Sequence, residues 1–236
     1  MEHIFDMVKL DDSMQYTAQF SSPAAKAALE QSNRMFWKID GSCGILVLDI
    51  ASNQLSLYQR QDTRGKEPGP TLVPLPDSGN PTEYTFHTYY MEKIALGKSD
   101  GKKQRKTKEA VLDLLSRHKE TLQQVILDHS DEEEAINGRP SRCLSVEIVG
   151  TKYAQTAGVH TPVAIAPHCL QKISMATLPR TLDETRELLI SSNIVTEGVV
   201  VEFKGKYWKC VSKLLDPSCV FGKDKSKAMP PRMFYE

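Results

Sequence analysis

Short runs of β-branched and aromatic residues recur along this chain at strand length: Phe36–Ile39, Gly44–Ile50, Gln54–Arg60, Tyr84–Tyr90, Leu144–Val149, Val163–Ala166, Val199–Phe203 and Tyr207–Val211. Side chains branched at Cβ, and aromatic rings, fit a pleated surface better than a helix. A β-rich framework is therefore expected, and its sheets need other layers to cover their apolar faces. Helical patterning interrupts the strands twice. From Lys108 to Asp128, Val111, Leu114, Leu115, Leu122, Val125 and Ile126 keep to one helical face, which predicts a surface helix. At Thr181-Leu-Asp-Glu184 a capping box predicts a helix from Leu182 to about Ser192. Gln61–Asn80, Gly97–Lys106 and the tail Lys223–Glu236 read as loose connections.

Thirty basic and thirty acidic residues cancel over the 236 positions, so any attraction to phosphate has to come from a local patch. The basic stretch Gly97–Lys106, with Lys102, Lys103, Arg105 and Lys106, is one: either a solvated loop or a contact for an RNA backbone. No apolar run reaches membrane-spanning length, and the first residues lack the layout of a secretory leader. An intracellular protein, cytoplasmic or nuclear, with no membrane partner is expected. The five cysteines never form a C-x-x-C pair, and buried reduced thiols are expected in place of a zinc cage or disulfide framework.

The residues that suggest chemistry begin at Lys38-Ile-Asp-Gly-Ser42. An amine between Trp37 and Ile39, on a strand that stops at Asp40-Gly41, sits at a pocket edge, and partial desolvation favours the neutral, nucleophilic form of an amine. Alternation along Gln54–Arg60 puts Leu55 and Leu57 on one face and Tyr58 and Arg60 on the other. In Leu144–Gly150 the apolar face is Leu144, Val146 and Ile148, leaving Glu147 opposite. Glu197 opens an apolar strand, and Lys209 lies in the strand that follows, at hairpin spacing across Lys204-Gly205-Lys206. One hairpin thus carries both an acid and a base.

In this order the residues resemble the covalent nucleotidyltransferase superfamily of ATP-dependent ligases and capping enzymes. Within it the chain is most similar to the vertebrate-type RNA ligases that join a 5′-phosphate to a 3′-hydroxyl. The likeness rests on K-x-D-G-[ST]-C at Lys38–Cys43, E-I-x-G-T at Glu147–Thr151, Pro167-His168 and E-G-[IV]-V at Glu197–Val200, and it spans Met35 to Val211.

The resemblance implies an α+β nucleotidyltransferase (ATP-grasp-like ligase) fold, with antiparallel sheets and flanking helices around a nucleotide cleft. It implies ATP as nucleotide, Mg²⁺ or Mn²⁺ as metal, and RNA with 5′-phosphate and 3′-hydroxyl ends as partner. Lys38 would attack the α-phosphate and carry AMP, flanked at the nucleotide by Trp37, Ile39 and Asp40. Arg60 and Glu147 would hold the ribose and phosphate environment, Glu197 would bind the metal, and Lys209 would neutralise the α-phosphate. His168 would either stack on adenine or be an ordinary structural histidine.

Three positions depart from the pattern. Trp37 stands where RNA ligases often have Glu, Cys43 lacks the arginine of DNA ligases, and only Lys209 fits the usual two-lysine motif, leaving Lys213 or Lys206 to assist. Few residues follow Val211, so the expectation is a single adenylyltransferase domain over residues 1–236, monomeric and without a C-terminal OB-fold domain. A non-catalytic RNA-binding module that retains the nucleotide pocket, and a capping-type guanylyltransferase, are the competing expectations.

Overall fold

Strands and helices alternate irregularly along the chain in a computed structural model that describes residues 1–10, 13–62, 72–73, 89–130, 133–136, 139–151, 161–174, 176, 178–192, 194, 196–215 and 233–235. The strands are β1 (Glu2–His3), β2 (Phe5–Leu10), β3 (Ser13–Phe20), β4 (Arg34–Lys38), β5 (Ser42–Asp49), β6 (Gln54–Asp62), β7 (Leu72–Val73), β8 (Tyr89–Lys93), β9 (Glu134–Ile136), β10 (Arg139–Val149), β11 (Ala164–Pro167), β12 (Gly198–Phe203), β13 (Lys206–Val211) and β14 (Phe234–Tyr235). The helices are α1 (Pro23–Gln31), α2 (Lys102–Arg117), α3 (Lys119–His129), α4 (Leu182–Ser191) and α5 (Ser212–Leu215), with a 3-10 turn at His168–Gln171. The protein is therefore of mixed α+β class, its sheets almost wholly antiparallel.

The chain divides into two compact units, one built mainly from Met1–Asp40 and His168–Met233, the other from Gly41–Gln155, His160–Pro167 and Phe234–Glu236. In the first unit the strands run β1-β13-β12-β4, and β2 and β3 form a separate hairpin. β12 and β13 join through Lys204-Gly205, both with positive φ (49° and 73°), between the paired Phe203 and Lys206. Positive φ at both central residues is the turn whose twist matches paired strands, which is why glycine occupies the second position. Lys206 belongs to the strand, so the connection is one residue shorter than the sequence suggests.

α1 lies against this sheet through Ala25, Ala28 and Leu29, all fully buried. Its last carbonyls are capped from far along the chain: the Arg180 guanidinium donates to the Leu29 and Ser32 carbonyls, the latter at 2.8 Å. α4 begins at the expected capping box. Glu184 N–H donates to Thr181 Oγ1 at 3.2 Å, while the Glu184 carboxylate accepts from Thr181 N–H at 3.1 Å and Arg180 N–H at 2.6 Å. These donors hold the Glu184 carboxyl below the usual carboxylate range.

In the second unit the sheet runs β14-β11-β10-β5-β6-β8-β7, with β9 also paired to β10. Ile45, Leu46, Val47 and Leu48 of β5 are all buried, so this central strand is covered on both faces. α3 packs on β5 and β10. Gln123 is buried among its apolar residues and is satisfied by donating from Nε2 to the Asn53 carbonyl and side-chain oxygen, both at 3.0 Å.

Two expectations need correction here. The helix predicted over Lys108–Asp128 is two helices that meet at His118, whose backbone (φ −104°, ψ 15°) leaves the α region. The His118 ring meets Phe234 edge-on at 5.5 Å between centroids, a contact that local periodicity cannot reveal. The expected basic loop is in part helix: Lys102, Lys103, Arg105 and Lys106 form the start of α2. Lys, Arg and Gln are good helix formers, and Asp100 fastens the entry by accepting from Gly97 N–H at 2.7 Å and Lys108 Nζ at 2.9 Å.

Other expectations hold only in part. Gln61, Asp62 and Leu72–Val73 are in strands, as are Phe234–Tyr235 of the tail, which Met233 precedes as a buried residue; the rest of both loose segments lies outside the described residues. So do residues 84–88 of the expected strand at Tyr84–Tyr90.

Candidate functional site

Strand pairing sorts the first unit's sheet into two faces. Phe36 pairs with Val200, Val200 with Lys209, and Lys209 with His3, so these four form one row across the sheet. Beside it runs the row Lys38, Gly198 and Val211. On the other side of the first row, Arg34 forms a 2.9 Å ion pair with Glu202. The opposite face carries Met35, Trp37, Val199, Val201, Trp208 and Cys210, every one buried. One side of the sheet is thus core, and the other presents Lys38 and Lys209, both partly exposed.

Lys38 ends β4, and its Nζ donates to the Glu197 carboxylate; the two side chains keep 22% and 27% of their exposure. The backbone around this pair is held from both strands. The Lys38 carbonyl accepts from Glu197 N–H at 2.7 Å and from Thr196 Oγ1 at 2.8 Å, and the Glu197 carbonyl accepts from Ser212 N–H at 2.8 Å and Ser212 Oγ at 2.7 Å. Gly198 explains the glycine after the acid: a Cβ there would lie 2.0 Å from the Cys210 carbonyl oxygen. Glu197 is therefore fixed at the mouth of β12 with its carboxylate on the lysine.

Of the two lysines expected to assist Lys209, Lys206 alternates onto the face of Trp208 and Cys210. Lys213, exposed on α5, acts electrostatically on the same His3 as Lys38 and Lys209 do. Trp37 and Ile39 are buried, Trp37 on the face away from Lys38, and Asp40 is exposed. His168 opens the 3-10 turn, whose following residues run along β4: Lys172 bridges Phe36, and Ile173 N–H donates to the Met35 carbonyl at 2.8 Å.

Arg60 and Glu147 come together within the second unit. Glu147 pairs with Cys43, and the neighbouring pair Gly44–Gln59 carries the register on to Arg60. Both act on the Cys43 thiol: burial raises its pKa, Glu147 raises it further, and Arg60 opposes them. Two glycines let the strands close here. A Cβ on Gly41 would meet Val149 Cγ1 at 2.5 Å and the Ile148 carbonyl oxygen at 2.6 Å; one on Gly44 would meet the Tyr58 carbonyl oxygen at 2.9 Å. Next to Arg60 and Glu147, Ile45, Val47, Tyr58 and Met91 form an apolar cluster on the same sheet face.

A cavity of about 550 Å³ lies elsewhere in the second unit, between β6–β8 and the start of α2. Lys102 and Lys103 line it together with Gln59, Glu92 and Lys93; Arg60 and Glu147 do not.

Sequence reading missed His3, Tyr16, Thr196 and Ser212. The hydroxyls of Thr196 and Ser212 flank the acid of the E-G-V-V motif in space, and a search for hydroxyls beside motif acids would have found Thr196. His3 and Tyr16 carry no such signal.

Among the described residues, no three His, Cys, Asp or Glu side chains converge as a metal cage. The single Glu197 carboxylate suits a hard cation that takes its other ligands from water and phosphate, as Mg²⁺ does. Four cysteines, Cys43, Cys143, Cys169 and Cys210, are free thiols. No helix of the described residues is long and apolar enough to cross a membrane. Compared with known proteins, the chain matches no family profile and no curated sequence.

Proposed function

We propose that the chain is an ATP-dependent RNA ligase with a nucleotidyltransferase fold, using Mg²⁺ or Mn²⁺. Lys38 takes AMP from ATP, the AMP moves to an RNA 5′-phosphate, and an adjacent 3′-hydroxyl displaces it to join the ends. The observation that carries this reading is the Lys38–Glu197 pair, held by backbone hydrogen bonds on a sheet face that also presents Lys209. The E-I-x-G-T and K-x-D-G likeness supports it, and gives Arg60 and Glu147 roles at ribose and phosphate.

In the first step the Lys38 Nζ–phosphorus bond forms and the bond from the α-phosphorus to the pyrophosphate oxygen breaks. Glu197, already hydrogen-bonded to Nζ, orients the amine toward phosphorus, and the proton that the nitrogen loses on bonding leaves to solvent. Lys209 meets charge on the α-phosphate as it builds. A divalent cation at Glu197, when bound, screens the phosphate oxygens. Holding reactants in line and neutralising charge carry most of the rate in phosphoryl transfer.

The test is to incubate the protein with ATP or GTP labelled at the α-phosphate, with Mg²⁺, and to follow label on the denatured chain. Acid-labile adenylate that disappears in Lys38→Ala is the expected result. Label from GTP alone would replace the ligase reading with a capping-type one, and label that persists in Lys38→Ala would overturn both.

A further inference from the structure

His3 lies at the far side of the same sheet face, and the hydrogen bonds around it define its chemistry. β1 pairs parallel to β13 with His3 beside Lys209, and Ile4 N–H donates to the Lys209 carbonyl at 2.9 Å. The His3 backbone is fixed by Ser21 Oγ, which donates to its carbonyl at 2.5 Å. Tyr16, buried at 8% exposure, accepts from Val211 N–H at 3.0 Å, and its hydroxyl also meets His3 Nδ1. Because the tyrosine oxygen already accepts from Val211 N–H, its hydroxyl donates to Nδ1, which assigns the proton of the neutral imidazole to Nε2.

Burial and the charges of Lys209, the α-amino group, Lys213 and Lys38 lower the His3 pKa and favour this neutral form. Burial likewise raises the Tyr16 pKa, which keeps its proton in place. The imidazole is thus a fixed N–H donor among cations, and among the described residues no group accepts from its Nε2. Along the face, nucleophile, second lysine and histidine follow one another over three strand spacings, roughly 14 Å between outer backbones. That is the layout of a row of donors along a polyphosphate.

We infer that His3, held by Tyr16, donates from Nε2 to the β- or γ-phosphate of bound ATP and so stabilises the departing pyrophosphate. This rests on the ligase reading above and adds a substrate contact to it. The electron pair of the breaking bond leaves on the pyrophosphate oxygen; His3 supplies a hydrogen bond and keeps its proton. Tyr16 is a positioning residue, acting through the imidazole.

Because pyrophosphate takes part only in lysine adenylylation and its reversal, the assignment is specific to one step. His3→Ala should slow adenylylation from ATP about ten- to a hundredfold, the scale of one hydrogen bond to a charged group. It should slow, by the same factor, the release of ATP when inorganic pyrophosphate is added to pre-adenylylated protein. Transfer of AMP from pre-adenylylated protein to 5′-phosphorylated RNA should stay at the wild-type rate. His3→Gln, which keeps an N–H donor, should recover part of the loss, and Tyr16→Phe should give a smaller defect in the same two reactions.

Wild-type rates for His3→Ala in adenylylation and its reversal would overturn the inference. So would equal slowing of all three reactions, which marks a structural role. If the wild-type protein itself takes no label from ATP, the ligase reading fails first; a labelled wild type with an indifferent His3→Ala leaves that reading intact and removes only the histidine.

Discussion

The two sheets treat their second face in opposite ways. In β5 of the second unit four successive apolar residues, Ile45–Leu48, are all buried, and the strand's own charge is left to its end, at Asp49, which Arg139 pairs at 3.1 Å. In β4, β12 and β13 of the first unit burial alternates, and the half-exposed face carries Lys38, Lys209 and His3. A strand covered on both sides has no room for a titrating group, because an unpaired buried charge is costly. A strand covered on one side can hold reactive groups on a rigid, hydrogen-bonded backbone at little cost to the core. Stability and chemistry should therefore separate between the two sheets.

The sharpest way to break this contrast is Lys38→Met. Adenylate on the denatured chain should fall below detection, while the denaturant midpoint stays near the wild type, since the side chain is only partly buried and its pair with Glu197 is solvent-reached. A large loss of stability would mean that the pair is structural. The converse is Leu46→Ala, which removes a fully buried side chain from the doubly covered sheet. It should cost about 2–5 kcal/mol in urea unfolding, with adenylate per folded molecule unchanged.

A smaller effect tests the scaffold of the first unit. Thr181→Ala removes one half of the capping box and should cost about 1 kcal/mol. The smallest is a pH effect at the start of α2. The Gly97 N–H and the Lys108 ammonium hold the Asp100 carboxyl below its ordinary value. A depressed folded value gives stability that is present above the unfolded pKa of about 3.9 and lost as pH falls through the folded one. Asp100→Asn should therefore lower the thermal midpoint at neutral pH and flatten its dependence on acid; an unchanged acid limb would show that the carboxylate contributes nothing there.

Much of this organisation was legible because it is local. Alternation in Leu144–Val149 and Gln54–Arg60 put Glu147 and Arg60 on the correct faces, and the Thr181 capping box located α4 within a residue of its end. What escaped is set by contacts between distant parts of the chain. The break at His118 involves Phe234, and β1 is a strand only because β13 lies beside it. His3 reaches the face of Lys38 by that same pairing, and Tyr16 joins it through hydrogen bonds to His3 and Val211 N–H, so no spacing in the sequence signals either. At α2 the dense charge of Lys102–Lys106 outweighed a helix propensity that was there to be read.

The strands of the first unit's sheet come from both ends of the sequence, β1 and β4 early, β12 and β13 late, with β5 to β11 in between. During synthesis the early pair must wait, unpartnered, until the ribosome has released residues beyond Val211. Meanwhile the hairpins of β5, β6 and β8 can already form, being neighbours in the chain. Pairing over so long a separation is slow, so a chaperone meeting the nascent protein would find β1 and β4, with Lys38 at the end of β4, still open after the β5–β6–β8 meander has closed.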